Sequence, residues 1–174
     1  ENGLVTVSAE DELMVYANAA FFEEDYSFEI PSVASFEMFR QILGDRLPSR
    51  NYFYAFKVSG DFKKMKCGGL AKQSPPYTEG LDVLIPNRPI YEREDFKGTL
   101  VGFFCPAFIG DINVAGFHFH FISDDKKFGG HVMEFEAANL KVSLDEMRQY
   151  DFMLPESSDF PQVQFDKTFQ YKQK

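Results

Sequence analysis

The sequence predicts an α+β domain dominated by an antiparallel or mixed β-sheet with few helices. Runs of aromatic and β-branched residues recur along the chain, and only two segments show a helical pattern. The strand patterns are grouped and do not alternate with helices, which favours a mostly antiparallel sheet over a parallel one. A length of 174 residues suffices for one domain with a buried core. We therefore expect a single domain over residues 1–174.

The N-terminal part combines a strand region with the clearest helix. Residues 4–16 mix β-branched and acidic positions, which predicts a strand pair or a strand and a turn. A helix is expected to open at Ser32 or Ser35, because either side chain can cap its first turn. Apolar residues recur at helical spacing after this point, and Gly44 together with Pro48 is expected to end the helix.

The middle of the chain predicts a hairpin followed by a long loop. Residues 52–58 are aromatic and β-branched, which is typical of a strand. A turn at Gly60-Asp61 is expected to lead into a second short strand that ends near Cys67. Four prolines lie within residues 72–89, so this segment is predicted to be an internal loop.

The C-terminal half predicts further strands and a second helix. Three strands are expected, over residues 99–104, 117–122 and 130–136. Ser143 and Glu146 have the spacing of a capping box, which predicts a short helix from Ser143 to Tyr150.

Composition and charge exclude several functional classes. With 18 Lys and Arg against 27 Asp and Glu, the net charge is -9, which argues against binding to nucleic acid or to anionic membranes. No apolar run is long enough to predict a transmembrane helix. Cys67 and Cys105 lack a metal-binding or redox spacing, and we expect two partly buried thiols, with a single disulfide as the open alternative. A cytoplasmic location is favoured, and export stays open.

All three histidines of the chain lie within 14 positions. His118 and His120 are separated by one residue, so on a strand both imidazoles point to the same face. The polar turn that follows can fold the next strand back and bring His131 onto that face. The phenylalanines that alternate with the first two histidines are expected to face the opposite side and to pack in a hydrophobic layer: Phe117, Phe119 and Phe121.

This three-histidine cluster (His118, His120 and His131) predicts a metal site. Three neutral imidazoles suit zinc or another borderline divalent metal. Three protein ligands also leave one coordination position for water or substrate, which is typical of catalytic sites. The alternative is a group of ordinary strand histidines or an exposed pH-sensitive patch. The clustering of every histidine in the chain favours the metal site.

Several segments resemble the alpha-acetolactate decarboxylase family. The stretch 110–125 (GDINVAGFHFHFISDD) and the stretch 129–132 (GGHV) resemble the core of that family. The segments 12–14 (ELM), 73–77 (QSPPY) and 154–155 (LP) also find counterparts. The likeness therefore covers almost the whole chain, and the histidine segment is its most specific part.

The resemblance implies a zinc ion held by His118, His120 and His131, an activity that converts 2-acetolactate to acetoin, and a homodimer. Zinc would act as a Lewis acid on the hydroxyl and carbonyl oxygens of the substrate and stabilise the enediolate left when carbon dioxide departs. A nearby acid would then protonate one face of that enediolate. The resemblance also implies a catalytic glutamate, which maps onto Glu12.

The sequence departs from the family at two places. The family has an arginine on the substrate side of the metal, and its position falls on Gly68, which offers no side chain. Lys66, on the same strand face, is the candidate substitute, although Lys lacks the bidentate fork of Arg and an exposed strand lysine is the alternative. A second glutamate of the family would lie beyond Lys174, and the family's first segment is absent, so we expect a domain shortened at both ends.

Two functions from different classes follow from this pattern. The first is a zinc-dependent decarboxylase that acts on 2-acetolactate or a related 2-hydroxy-3-keto acid. The second is a metal-binding relative that keeps the fold and the histidines but has lost or changed its activity, a reading that Gly68 favours. Neither hypothesis includes a nucleic-acid or membrane partner.

Overall fold

A computed structural model describes residues 3–10, 16–73, 81–110, 112–156 and 160–162. Within these ranges the chain forms one sheet, one long helix and three short helical turns. The strands are β1 (Tyr26–Val33), β2 (Phe53–Gly68), β3 (Ile90–Cys105), β4 (Gly116–Ser123) and β5 (Gly129–Met147). The α-helices are α1 (Phe36–Arg46) and the one-turn α2 (Leu81–Leu84), and 3-10 turns span Ala107–Ile109 and Phe160–Gln162. The expected α+β class with a mostly antiparallel sheet is confirmed.

The strands are antiparallel throughout and follow the order β1-β5-β2-β3-β4. β5 also pairs with β4, so β5, β2, β3 and β4 form a closed ring and β1 lies outside it against β5. The closing ladder is short and contains the pairs His120–His131, Phe121–Gly130 and Ile122–Gly129. Ring closure thus joins the two strands that carry the histidines.

Phenylalanine side chains fill the core between the sheet and α1. Phe39 of α1 is fully buried, and its ring centroid lies 5.6 Å from that of Phe119 and 5.3 Å from that of Phe135. Ser35 caps α1, because its Oγ accepts a hydrogen bond of 3.0 Å from the backbone N–H of Met38. Ser32 belongs to β1, so the helix begins at the later of the two predicted caps.

The predicted helix from Ser143 to Tyr150 is wrong. β5 continues to Met147, because Ser143 is paired on one side with Ser27 of β1 and on the other with Lys57 of β2. The Ser143 hydroxyl donates a 2.5 Å hydrogen bond to the Glu24 carboxylate and caps no helix. Pairing on both edges therefore overrides the local capping signal.

The predicted turn at Gly60-Asp61 is also wrong, because β2 runs without interruption from Phe53 to Gly68. A Cβ at Gly60 would lie 2.5 Å from Cδ2 of Leu140, so this glycine allows close packing and does not mark a turn. The register between β2 and β5 shifts at several points from Ser59 onward, which lets the long strand bend around the core.

Other parts of the prediction are refined. β1 was not expected, and α2 lies within the predicted loop over 72–89, of which 74–80 fall outside the described residues. In the N-terminal region, residues 3–10 contain a single bridge from Leu4 to Phe128 where strands were expected, and residues 11–15 are not described.

Both cysteines are buried free thiols. No helix in the described part of the chain is long and apolar enough to cross a membrane.

Candidate metal centre

β4 presents His118 and His120 on one face of the sheet. The alternating side chains Phe117, Phe119 and Phe121 are buried on the other face, as predicted. Phe119 has no exposed surface and packs against rings from α1 and β2. The two imidazoles are therefore attached to a strand whose opposite side is fixed by close packing.

A tight turn after β4 folds the chain back and brings His131 to the same place. The Ser123 hydroxyl accepts a 3.0 Å hydrogen bond from the backbone N–H of Phe128, and the Asp125 carboxylate accepts one of 3.1 Å from the N–H of Lys127. Arg93 of β3 donates to the same carboxylate at 2.8 Å. This turn fixes the register of the two strands, and His131 becomes the cross-strand partner of His120.

The three imidazoles converge closely. Nε2 of His118 lies 3.3 Å from Nε2 of His120 and 3.1 Å from Nδ1 of His131. One ring nitrogen of each histidine lies within 4.8 Å of the others, and these residues form a group that could hold a metal ion. A tetrahedral metal bound at about 2.0–2.1 Å by two imidazoles separates their nitrogens by roughly 3.3 Å. The two spacings measured from His118 fit such an ion.

Partial desolvation favours the neutral form of these histidines, which is the form that binds metals. Desolvation, together with the charge of His120, lowers the pKa of His118 to about 4. Desolvation also lowers the pKa of His131 to about 3, with further contributions from the two other histidines and from Arg88. The pKa of His120 is lowered by desolvation too. At neutral pH, all three side chains therefore offer lone pairs without first releasing protons.

The other predicted site residues are placed unequally. Glu12 lies outside the described residues, so its role stays a prediction. Lys66 lies on β2, where its Nζ is 3.8 Å from the Glu92 carboxylate, and its predicted role is likewise untested. Gly68, two residues later, is paired directly with His131, so its Cα lies beside the histidine cluster.

No sequence pattern singles out Arg88, yet its side chain reaches this region. A Cβ at Gly68 would lie 3.1 Å from Nε and 3.2 Å from Cδ of Arg88. The glycine beside His131 therefore leaves a space that the arginine occupies. The only sequence feature that pointed to this region was the lack of a side chain at Gly68. The length of the loop between the two residues does not show where the Arg88 side chain will lie.

The match to a family model agrees with this geometry. The model described as alpha-acetolactate decarboxylase matches residues 1–167, which is nearly the whole chain. The chain belongs to the alpha-acetolactate decarboxylase family. The resemblance carried by the histidine segment is thereby confirmed.

Several relatives in this family are similar over most of the chain. The alpha-acetolactate decarboxylase of Bacillus licheniformis is 36% identical over 152 residues, which cover 87% of this chain and 60% of the relative. That of Methanosarcina mazei is 34% identical over 155 residues, covering 89% of this chain and 54% of the relative. The chain thus spans somewhat more than half the length of these relatives.

Solved structures in the same family share the fold. The crystal structure of alpha-acetolactate decarboxylase from Bacillus subtilis strain 168 superposes with a TM-score of 0.80 at 32% identity, covering 84% of this chain and 62% of that one. A Staphylococcus aureus protein of unknown function similar to alpha-acetolactate decarboxylase gives a TM-score of 0.68 at 32% identity, covering 72% and 53%. The acetolactate decarboxylase fold therefore holds for most of this chain.

Proposed function

We propose that this family member is a zinc-dependent carboxy-lyase that converts 2-acetolactate to acetoin. The observation that carries the proposal is the convergence of three neutral imidazoles, in a chain that matches the decarboxylase family over residues 1–167. Spacings of 3.1 and 3.3 Å between their nitrogens support a shared ion. The substrate would be a small 2-hydroxy-3-keto acid.

His118, His120 and His131 would hold the metal through one ring nitrogen each, and the face of the ion away from them would stay open to the substrate. A bound divalent metal would supply Lewis-acid chemistry, drawing electron density from the ketone of the substrate. The bond between C1 and C2 of the substrate breaks, carbon dioxide leaves, and the electron pair moves towards the ketone oxygen. A proton must then return to C2, and we assign this step to Glu12. Lys66 is the candidate from β2 for contact with the substrate.

Metal analysis tests the first part of the proposal. Purified protein loaded with zinc should contain about one ion per chain, the stoichiometry of a single three-histidine site. His118→Ala and His131→Ala should each lose that ion, because two imidazoles remain. Arg148→Gln is a matched control, since Arg148 pairs with Glu146 away from the cluster and its loss should leave the zinc content unchanged. Wild-type protein that stays free of metal after loading would refute the site.

Acetoin formation from racemic 2-acetolactate tests the activity. The zinc-loaded protein should exceed the spontaneous rate, and Glu12→Gln should lower kcat by about 100-fold or more while keeping its zinc, as expected for loss of a proton-transferring group. Lys66→Met should raise KM if its ammonium group contacts the substrate. Light scattering of the same samples tests the homodimer that the family suggests.

A second candidate function is a metal-binding relative with lost or changed activity. Gly68 favours it, because the resemblance implies an arginine at this position. A protein that binds zinc and forms no acetoin above the spontaneous background would support this second function over the first.

A further inference from the structure

Gly68 and His131 are paired residues of neighbouring strands. Paired residues direct their side chains to the same face of a sheet, so a side chain at Gly68 would extend beside the imidazole of His131. The position instead has only a hydrogen atom. An ideal Cβ there would lie 3.0 Å from Sδ of Met133 and 3.1 Å from Nε of Arg88. The space is therefore already occupied by other side chains.

The backbone around Arg88 is held in place on both sides. The N–H of Arg88 donates a 3.3 Å hydrogen bond to the carbonyl of Ile85, just after α2. The N–H of Gly69 donates a 3.3 Å bond to the carbonyl of Pro89, which ties this segment to the end of β2. These bonds hold the backbone of this segment beside the end of β2, and the Arg88 side chain lies over Gly68, the residue paired with His131.

Among the side chains that the structure describes, which do not include that of Asp82, no carboxylate lies within ion-pair distance of the Arg88 guanidinium. By contrast, Lys66 on the same sheet face has the Glu92 carboxylate at 3.8 Å. A half-buried guanidinium next to the residue paired with His131 is suited to an anionic ligand.

We propose that Arg88 binds the carboxylate of the substrate beside the three-histidine cluster, and that Gly68 lacks a side chain so that Arg88 can reach this position. This inference rests on the proposed function and deepens it, because it names the group that recognises the anionic end of a 2-hydroxy-3-keto acid. The guanidinium offers parallel N–H donors that match a carboxylate, a geometry that Lys66 cannot provide.

The first test uses a compound that the enzyme cannot decarboxylate. The probe is 2-hydroxy-2-methylbutanoate, which lacks the ketone, and its neutral counterpart is 2-hydroxy-2-methylbutanamide. Titration calorimetry with zinc-loaded wild type should show tighter binding of the carboxylate. In Arg88→Gln this preference should fall by about 10- to 100-fold, the range for one charge-assisted hydrogen-bonded contact. Arg88→Lys should lie between the two, and Arg148→Gln should match wild type.

The second test removes the space without touching the arginine. Gly68→Val should displace the Arg88 side chain and reduce the carboxylate preference as Arg88→Gln does, and the double variant should be no weaker than either single variant. Circular dichroism and zinc content confirm that each variant is folded and loaded. If Gly68→Val does not fold, Arg88→Gln and Arg88→Lys still decide the question.

The outcomes separate this inference from the proposed function. A folded, zinc-loaded Arg88→Gln protein that keeps the full carboxylate preference overturns the inference, whether or not acetoin is formed. Absence of acetoin from wild type overturns the proposed activity, but the binding experiment still tests Arg88 because it requires no turnover. If wild type is active, KM for 2-acetolactate should rise about 10-fold or more in Arg88→Gln, with kcat changed much less, since the contact is made in the ground state.

Discussion

Acid should destabilise the metal-free protein because His118 and His131 resist protonation in the folded state. In the unfolded chain a histidine has a pKa of about 6.5. In the folded protein the pKa values are about 4 for His118 and about 3 for His131, mainly because burial disfavours the charged imidazole. The unfolded state therefore binds protons that the folded state does not. Stability is greatest above pH 6.5 and is lost as the pH falls below it, until the folded-state values are reached.

The size of this effect follows from the two pKa values. For each histidine, the free energy of unfolding decreases by about 1.4 kcal/mol per pH unit below pH 6.5. At pH 5 the loss is about 2 kcal/mol for each histidine and about 4 kcal/mol for His118 and His131 together. A loss of this size is a large share of the roughly 5–15 kcal/mol that stabilises a typical domain.

Urea unfolding of chelator-treated protein at pH 8, 6.5 and 5 measures this loss. The matched control is the double variant His118→Asn/His131→Asn, which lacks both titrating imidazoles and keeps the carboxylates. The change in stability between pH 8 and pH 5 should be smaller in the variant by the amount derived above. The reasoning is refuted if wild type and variant lose the same stability over this interval.

Three further predictions concern the metal site and the strands that carry it. Zinc affinity should change little between pH 7 and pH 5, as measured by competition with a zinc-binding dye. A histidine ligand with an unperturbed pKa would instead lower the zinc affinity about 30-fold at pH 5, because protons would compete with the metal. Gly102→Ala should lower the free energy of unfolding in urea by about 1–3 kcal/mol. The new Cβ would lie 2.5 Å from the carbonyl oxygen of His118 and against the ring of Phe119. Val101→Ala is the control on the exposed face of the same strand, and it should lower the free energy of unfolding much less. Asp125→Asn should weaken zinc binding, because this carboxylate organises the turn that sets His131 against His120; unchanged zinc affinity would show that the turn holds its register without it.

The histidine cluster could be predicted because local rules suffice for it. Alternation along β4 fixes which face His118 and His120 share, and the polar turn with its two glycines allows one short return strand. Only the hairpin register was needed to add His131. The burial of the alternating phenylalanines follows from the same alternation.

The wrong predictions come from positions where distant pairing decides. Ser143 and Glu146 have a capping spacing, but β1 and β2 occupy both edges of this segment, so it extends as a strand. Gly60 has the composition of a turn, yet it makes room for Leu140, which is remote in sequence. β1 contains Pro31 and pairs only with β5, so it is an edge strand, where proline is tolerated.

Arg88 was not predictable for a related reason. Its position depends on where the segment after α2 crosses the end of β2, and no periodicity in the sequence encodes this crossing. The sequence shows only that position 68 has no side chain. In the folded chain, the Arg88 side chain occupies the space that a Cβ at Gly68 would need.

The short β4–β5 ladder has a consequence for how the protein opens. The ladder has three pairs, fewer than any other ladder in the sheet, and one of them is His120–His131. An ion bound by the histidines would link β4 to β5 at the shortest ladder of the ring. The ion would then stabilise the pairing of β4 with β5 in addition to its chemical role. Removing it should therefore speed amide hydrogen exchange in the β4–β5 ladder before exchange increases in the other strands of the ring.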